Sequence, residues 1–217
     1  MKAKVGVTRF PGTNCDSDVF EAVKAVGLEP VWLWHSDRFD SQGLAAVIIP
    51  GGFSYGDYLR CGALAAKAPV MQAVREFAKA GRPVLGICNG FQILCESGLL
   101  PGVLVRNQRQ RFIDQWVDLR LVQPSKKFGP ESAGVKAKLP VAHGEGCYQI
   151  SESNKKRLED RGQVWWTYFD DINGSVGKIA GVMNEGKNVA GLMPHPERAM
   201  AAWMGGTDGR GFFSTII

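Results

Sequence analysis

Apolar and polar positions in the first ninety residues alternate between short strand patterns and helical patterns. The apolar runs Val5–Val7, Val31–Trp34 and Leu44–Ile49 predict strands, and the last is typical of a parallel strand buried on both faces. Helical spacing predicts one helix capped by Asn14 and running through Val26, and a second from about Lys67 to Ala80. This alternation predicts an α/β fold with a mostly parallel central sheet and flanking helices.

The second half of the chain has a different pattern of predicted elements, in which strands follow one another without long helices between them. The candidate strands are Val103–Val105, Trp116–Val122, Gln163–Tyr168, Ile179–Met183 and Asn188–Met193. We expect them to form a smaller antiparallel element on the same core, so that residues 1–217 make a single domain. The segment from Gln123 to Ala137 contains Pro, Gly and Lys and is predicted to be a mobile loop.

Composition narrows the class of protein. The net charge of +5 is spread along the chain rather than gathered into a basic stripe with aromatic residues, so we expect no nucleic-acid partner. The five cysteines include no C-x-x-C pair, which argues against a disulfide framework or a zinc site, and no metal is expected. No apolar run approaches membrane-spanning length, and a cytoplasmic location is expected.

The segment Pro83–Gln92 is the strongest chemical signal in the sequence. A strand pattern ends at Cys88, and Gly86 and Gly90 lie two residues to either side. Glycines at these positions let a strand turn sharply into a helix, which lifts the thiol above the sheet edge. The N–H groups at the start of the helix would then stabilise a thiolate, so Cys88 is a candidate nucleophile.

A base and an orienting acid follow near the end of the chain, in Met193–Arg198. His195 lies between two prolines, and Glu197 comes two residues later. In an extended backbone the two side chains would project to the same side, so Glu197 could hold the ring nitrogen that His195 does not present to sulfur. Taken singly, Cys88 is equally well explained as a core cysteine and His195 as a structural turn residue.

A glycine-rich turn, Pro50–Asp57, follows the predicted strand Leu44–Ile49. Ligands of parallel sheets bind at the carboxyl ends of the strands, where the turn after Cys88 also lies. Backbone N–H groups exposed in such turns can hold an oxyanion. Together with Cys88, the turn predicts an acyl-transfer site.

Five segments make the chain resemble the class I, triad-type glutamine amidotransferases, and among them the glutaminase subunits of phosphoribosylformylglycinamidine synthase. These segments are Phe10–Asp16, Pro50–Gly62, Gly86–Gln92, His143–Gly146 and Met193–Arg198. The resemblance implies that Cys88 attacks the glutamine side-chain amide, that His195 transfers the proton and that Glu197 orients His195. It further implies an oxyanion hole from the N–H groups of Gly52 and Asn89, glutamine contacts by Phe53 and Gln92, and active-site neighbours at His143 and Glu145, whose chemistry stays open.

The same resemblance implies partners. Ammonia would pass to a separate ATP-dependent synthetase that makes formylglycinamidine ribonucleotide, with a small accessory subunit in the complex. No cofactor is expected in this chain, which lacks a GxxxxGK[ST] loop, and ATP and Mg²⁺ would bind the synthetase. L-glutamine is the expected substrate.

Three alternatives stay open at the level of sequence. The first is a peptidase or glyoxalase relative with a Cys nucleophile, although those proteins usually carry His directly after the Cys, where this chain has Asn89. The second is a catalytically silent scaffold subunit, for which an intact Cys, His and Glu set has no chemical use. The third is an amidotransferase of another pathway, which the segment Phe53–Gly62 disfavours.

Overall fold

The computed structural model describes residues 2–129 and 134–217. The strands of these ranges are β1 (Lys4–Arg9), β2 (Glu29–Trp34), β3 (Ala46–Ile49), β4 (Val84–Ile87), β5 (Val103–Val105), β6 (Ile113–Leu121), β7 (Lys136–His143), β8 (Cys147–Gln149), β9 (Val164–Tyr168), β10 (Ile179–Met183) and β11 (Val189–Leu192). The α-helices are α1 (Asp16–Ala25), α2 (Pro69–Lys79), α3 (Asn89–Glu96), α4 (Glu152–Asp160) and α5 (Arg210–Ser214). No helix in the described part of the chain is long and apolar enough to cross a membrane.

The central sheet has nine strands in the order β2-β1-β3-β4-β11-β10-β9-β6-β7. The five strands from β2 to β11 in this order are mutually parallel, and the pairs from β11 to β7 are antiparallel. Strands β5 and β8 form a separate antiparallel pair. The predicted α/β class is confirmed, and strands of both halves of the chain share one sheet.

The centre of the parallel half is buried on both faces. Every residue of β3, β4 and β11 is buried, as the continuous apolar pattern of β3 predicts. The amphipathic helix α2 covers the sheet with Val70, Val74 and Phe77, each fully buried. Burial of such side chains stabilises the fold by about 1.5–3 kcal/mol each.

Two predictions about local structure are corrected. Helix α1 begins at Asp16 with Cys15 at the N-cap position and no side-chain cap, so the prediction that Asn14 caps the helix was wrong. The predicted loop Gln123–Ala137 is too long, because its last two residues already belong to β7, while its residues 130–133 lie outside the described residues.

Strand β7 was not predicted. Its sequence contains Pro140, which disfavours a strand interior, but β7 lies at the edge of the sheet and pairs only with β6. Strand β7 also contacts the segment around His195, because the carbonyl of Pro140 accepts a hydrogen bond from the backbone N–H of His195 at 2.8 Å.

Candidate active site

Cys88 lies on a sharp turn between β4 and α3. Its backbone has φ of 50° and ψ of −107°, a region that side chains rarely occupy and that marks stored strain. Its N–H donates to the carbonyl of Leu192 at 2.8 Å, which anchors the turn to β11. A Cβ atom at Gly90 would lie 1.9 Å from the carbonyl oxygen of Ile49, so only glycine allows α3 to start this close to β3.

His195 and Glu197 form a buried hydrogen-bonded pair. The distance from His195 Nδ1 to Glu197 Oε1 is 2.6 Å, and each residue is 1% exposed. The contact was predicted, but the extended backbone proposed for it was wrong. Residues Pro196–Arg198 form a single 3-10 turn that starts directly after His195, and the turn brings the carboxylate back under the ring.

The charges around His195 favour its protonated form. Burial alone would lower the pKa of His195, but the negative charges of Glu197 and of a Cys88 thiolate hold that pKa well above the usual range. Within the described residues, Nε2 of His195 makes no hydrogen bond of good geometry, and the thiols of both Cys88 and Cys15 interact with the ring. The arrangement therefore suits a thiolate–imidazolium pair in which Nε2 serves the sulfur of Cys88.

Cys15 is a second thiol of this cluster, and sequence reasoning did not assign it to the site. Its Sγ atom lies 3.2 Å from Nη2 of Arg198, whose Nε contacts Asp18 at 3.3 Å. Burial raises the pKa of Cys15, so the group is a thiol rather than a competing nucleophile. The signal was present in the sequence, because Cys15 belongs to Phe10–Asp16 and Arg198 to Met193–Arg198.

Three potential metal ligands meet in the same place. The sulfur of Cys15, a ring nitrogen of His195 and a carboxylate oxygen of Glu197 lie within 4.8 Å of one another. The guanidinium of Arg198 lies 3.2 Å from the sulfur of Cys15, however, and its fixed positive charge would repel a cation there. The donor set fits a proton-transfer cluster better than a metal centre.

The predicted oxyanion and substrate residues surround the same thiol. Gly52 and Phe53 line a cavity of about 170 Å³ together with Cys88 and His195. Asn89 is the first residue of α3, so its N–H has no partner inside the helix. The Asn89 side chain accepts from the N–H of Ser54 at 3.2 Å and donates to Oε1 of Gln92 at 2.8 Å, which holds the glycine-rich turn against α3.

Comparisons with known proteins identify the family. A family model described as a CobB/CobQ-like glutamine amidotransferase domain matches residues 2–208. Phosphoribosylformylglycinamidine synthase subunit PurQ of a Rhodopseudomonas palustris strain is 50% identical over 225 residues, covering 99% of this chain and 97% of the relative. The chain belongs to the PurQ family.

Further relatives agree with this assignment. The PurQ subunit of Alkaliphilus metalliredigens is 47% identical over 216 residues, covering 99% of this chain and 95% of the relative. A chain of the PurLQS structure from Thermotoga maritima is 42% identical, with a TM-score of 0.91, and the match covers 100% of this chain and 98% of that chain. Family membership sets aside the peptidase and glyoxalase alternative.

The second histidine of this PurQ-family site, His143, has a defined protonation state. The amide of Asn107 donates to the carbonyls of Arg111 and His143, both at 2.8 Å, and its Oδ1 accepts from the N–H of Gly146 at 3.0 Å. Nδ1 of His143 lies 3.1 Å from the same Oδ1 and must therefore carry the proton. Burial, aided by the charge of His195, lowers the pKa of His143 to about 4, so the ring is neutral at pH 7.

Cys88 borders two cavities in this site. The first, described above, contains His195 and Arg198. The second, of about 260 Å³, lies on the Gln92 side and is also lined by His143 and Glu145. The second cavity is lined by six of the site residues predicted from the sequence: Gly52, Phe53, Cys88, Gln92, His143 and Glu145. The other three, Asn89, His195 and Glu197, do not line it.

Proposed function

We propose that this chain is the glutaminase subunit of a phosphoribosylformylglycinamidine synthase. It would hydrolyse L-glutamine to glutamate and ammonia and deliver the ammonia to an ATP-dependent synthetase in purine biosynthesis. The observation that carries the proposal is the triad: a strained Cys88 at a helix N-terminus, beside a buried His195 held by Glu197 at 2.6 Å. Full-length identity near 50% to PurQ subunits supports the pathway.

In the first half of the reaction, the Cys88 thiolate attacks the side-chain carbonyl carbon of glutamine. The new S–C bond gives a tetrahedral intermediate, whose oxyanion would be held by the N–H groups of Gly52 and Asn89. As the intermediate collapses, the C–N bond breaks and His195 gives its proton to the departing nitrogen. Ammonia leaves, and a glutamyl thioester remains on Cys88.

In the second half, water replaces ammonia. His195, now neutral, takes a proton from the water as it attacks the thioester carbonyl, and the S–C bond breaks to give glutamate and the thiolate. Glu197 keeps Nδ1 protonated and directs Nε2 toward sulfur throughout, because its carboxylate accepts from Nδ1 at 2.6 Å. Arg198 and Cys15 border the cavity on the His195 side and position this turn rather than react.

The proposal includes partners that act beyond this chain. We infer a synthetase subunit, which would bind ATP and Mg²⁺, and a small accessory subunit. The name of the PurLQS assembly, in which L and S stand beside Q, supports two such partners. No cofactor is needed for the thioester chemistry itself. The proposed role in purine biosynthesis is compatible with a cytoplasmic location, and we place the subunit there.

The direct test is glutamate release from L-glutamine by the purified chain, alone and mixed with the synthetase, formylglycinamide ribonucleotide and ATP. The proposal predicts a rate that rises in the mixture and disappears in Cys88→Ala. The same variant should retain synthesis from added ammonium chloride, because its synthetase partner is unaltered.

Two results would argue against the proposal. Glutamate release that persists in Cys88→Ala would remove the thiol from the chemistry. No release by a folded wild-type chain in the complete mixture would favour the silent scaffold subunit.

A further inference from the structure

A group of positively charged side chains surrounds the ring of Phe169, directly after β9. The guanidinium carbon of Arg120 lies 4.7 Å from the centre of that ring, and Nζ of Lys136 lies 5.1 Å from it. Nζ of Lys178 donates to the backbone carbonyl of Phe169 at 2.7 Å. The three cations come from β6, β7 and the 3-10 turn Val176–Lys178, so the tertiary fold gathers them at one point. We call these four residues the Phe169 cluster.

The register of the sheet places like charges side by side in this cluster. Arg120 of β6 is directly opposite Lys136 of β7, and on its other side it is opposite Thr167 of β9. Like charges at directly opposite positions of an antiparallel pair repel each other and destabilise the sheet. Contact with the ring of Phe169 offsets only part of that repulsion, because two cations share one ring. A bound anion would remove the repulsion.

The protein supplies little negative charge to the Phe169 cluster. Within residues 2–129 and 134–217, no carboxylate forms an ion pair with Arg120, Lys136 or Lys178. Asp118, two residues before Arg120 on the same side of β6, is directly opposite Lys138, whose charge it balances. All three cations of the cluster are exposed, so their positive charge is available to a ligand from solvent.

A cavity of about 300 Å³ at the cluster is a separate observation that points to a ligand. Its lining residues are Arg120, Thr167, Tyr168, Phe169, Gly177 and Lys178. None of them lines either cavity bordered by Cys88. The hydroxyl of Thr167 makes no hydrogen bond to the described residues, so it can donate to a ligand. The volume suits a small molecule.

The turn that carries Lys178 has an uncommon backbone conformation. Gly177 and Lys178 both have positive φ, at 58° and 57°. Glycine adopts this region freely, but a lysine there is strained, and strained residues cluster at ligand clamps. The conformation holds the ammonium group of Lys178 against the carbonyl of Phe169, at the border of the cavity.

We propose that the Phe169 cluster binds the phosphate group of a small phosphate monoester. At pH 7 such a group carries about two negative charges and three strong acceptor oxygens. The planar fork of Arg120 matches two of those oxygens, and the ammonium group of Lys178 and the hydroxyl of Thr167 supply further donors. A carboxylate, with one negative charge, would neutralise less of the cluster. The ring of Phe169 offers an apolar surface to the organic part of the ligand.

The test is isothermal titration calorimetry of the full chain with ribose 5-phosphate at constant ionic strength. Binding should weaken about 10-fold or more in Arg120→Gln and in Lys178→Gln, because each variant lacks a charge-assisted hydrogen bond. Lys79→Gln, which removes an exposed charge at the end of α2, is the matched control and should bind like the wild type. Urea denaturation verifies that each variant is folded.

Two further titrations define the chemistry of the ligand. Ribose without its phosphate should not bind. Affinity for ribose 5-phosphate should fall as the pH is lowered through about 6, because the phosphate group then loses its second negative charge. None of these measurements depends on glutaminase activity, so their outcome is independent of the proposed function.

Several results would overturn the proposal. The first is absence of ribose 5-phosphate binding by the wild-type chain. Equal binding by Arg120→Gln and Lys79→Gln would place the phosphate elsewhere on the protein. Acetate that binds as tightly as ribose 5-phosphate would reduce the cluster to a non-specific anion patch. A weaker complex between Arg120→Gln and the synthetase, with no phosphate binding by the wild type, would instead assign the cluster to an acidic surface of that partner.

Discussion

Nδ1 of His195 lies 2.6 Å from Oε1 of Glu197, and the only covalent link between the two residues is the short turn through Pro196. Both side chains are almost fully buried, so the negative charge of Glu197 acts on the imidazole with little solvent screening. The Glu197 carboxylate thus favours the protonated form of His195 next to a Cys88 thiolate. Oε2 of Glu197 has no hydrogen-bond partner within the described residues, so the hydrogen bond of Oε1 to His195 is the one that this carboxylate makes there.

Glu197→Gln tests this relationship. A neutral amide can no longer favour the imidazolium, so the pKa of His195 should fall and kcat for glutaminase activity should drop by about 100-fold or more. The change is measured as a pH profile of glutamate release, whose alkaline limb should move to lower pH. Glu152→Gln, an exposed position in the first turn of α4, is the control. A Glu197→Gln enzyme with the wild-type profile would contradict the role of Glu197.

Gly90 should be among the least replaceable residues of the chain. In Gly90→Ala, the new Cβ would lie 1.9 Å from backbone oxygen of Ile49, and neither backbone can yield without separating α3 from β3. We expect a loss of at least about 2 kcal/mol in the free energy of unfolding, measured by urea denaturation. Gly211→Ala is the matched control, because α5 leaves open space there and alanine favours helix by about 1 kcal/mol. Equal stability of the two variants would contradict the packing argument.

The cysteines should differ in reactivity. Burial raises the pKa of Cys15, Cys61 and Cys95. Cys88 shares a cavity with Cys15, but it lies at a helix N-terminus with the base His195 beside it. Iodoacetamide at pH 7 should therefore alkylate Cys88 first, as read by peptide mass spectrometry. His195→Asn should slow that alkylation. Faster modification of Cys15 than of Cys88 would show that the nucleophile has been misassigned.

His143 should make stability depend on pH in the acid range. Its pKa is about 4 in the folded state and 6.5 in the reference state, so the unfolded chain binds more protons between these values. Stability is complete above pH 6.5, decreases as the pH falls toward 4, and loses about 3 kcal/mol in all from this residue. Urea denaturation of His143→Gln at pH 7 and pH 4.5 should show a smaller decrease than the wild type. A parallel decrease in both proteins would assign the pH dependence to other groups.

The sequence predicts the parallel half of the fold well, because each of its elements carries a local signal. The apolar run that ends at Ile49 predicts β3, and the glycines around Cys88 predict the elbow. The pairing of His195 with Glu197 is predicted from two residues in one short segment, although by the wrong backbone geometry. These features could be predicted because the residues that form them lie close together in the sequence, so few backbone conformations can bring them into contact.

The remaining features depend on tertiary contacts that no local pattern encodes. Strand β7 contains Pro140 and is acceptable only as an edge strand, which is a property of the assembled sheet. Cys15 and Arg198 are 183 residues apart and meet only because α1 packs beside the turn that follows His195. The protonation of His143 at Nδ1 likewise becomes visible only through the hydrogen bonds of Asn107.

The most direct measurement of the central claim is nitrogen transfer in the complete complex. Glutamine labelled with nitrogen-15 in its side-chain amide is supplied with ATP and formylglycinamide ribonucleotide, and the amidine product is analysed by mass spectrometry in the presence of unlabelled ammonium chloride. The account predicts that the label enters the product through Cys88, and that Cys88→Ala yields only unlabelled product. Labelled product from Cys88→Ala, or product without any label from the wild type, would contradict the claim that this chain supplies the ammonia.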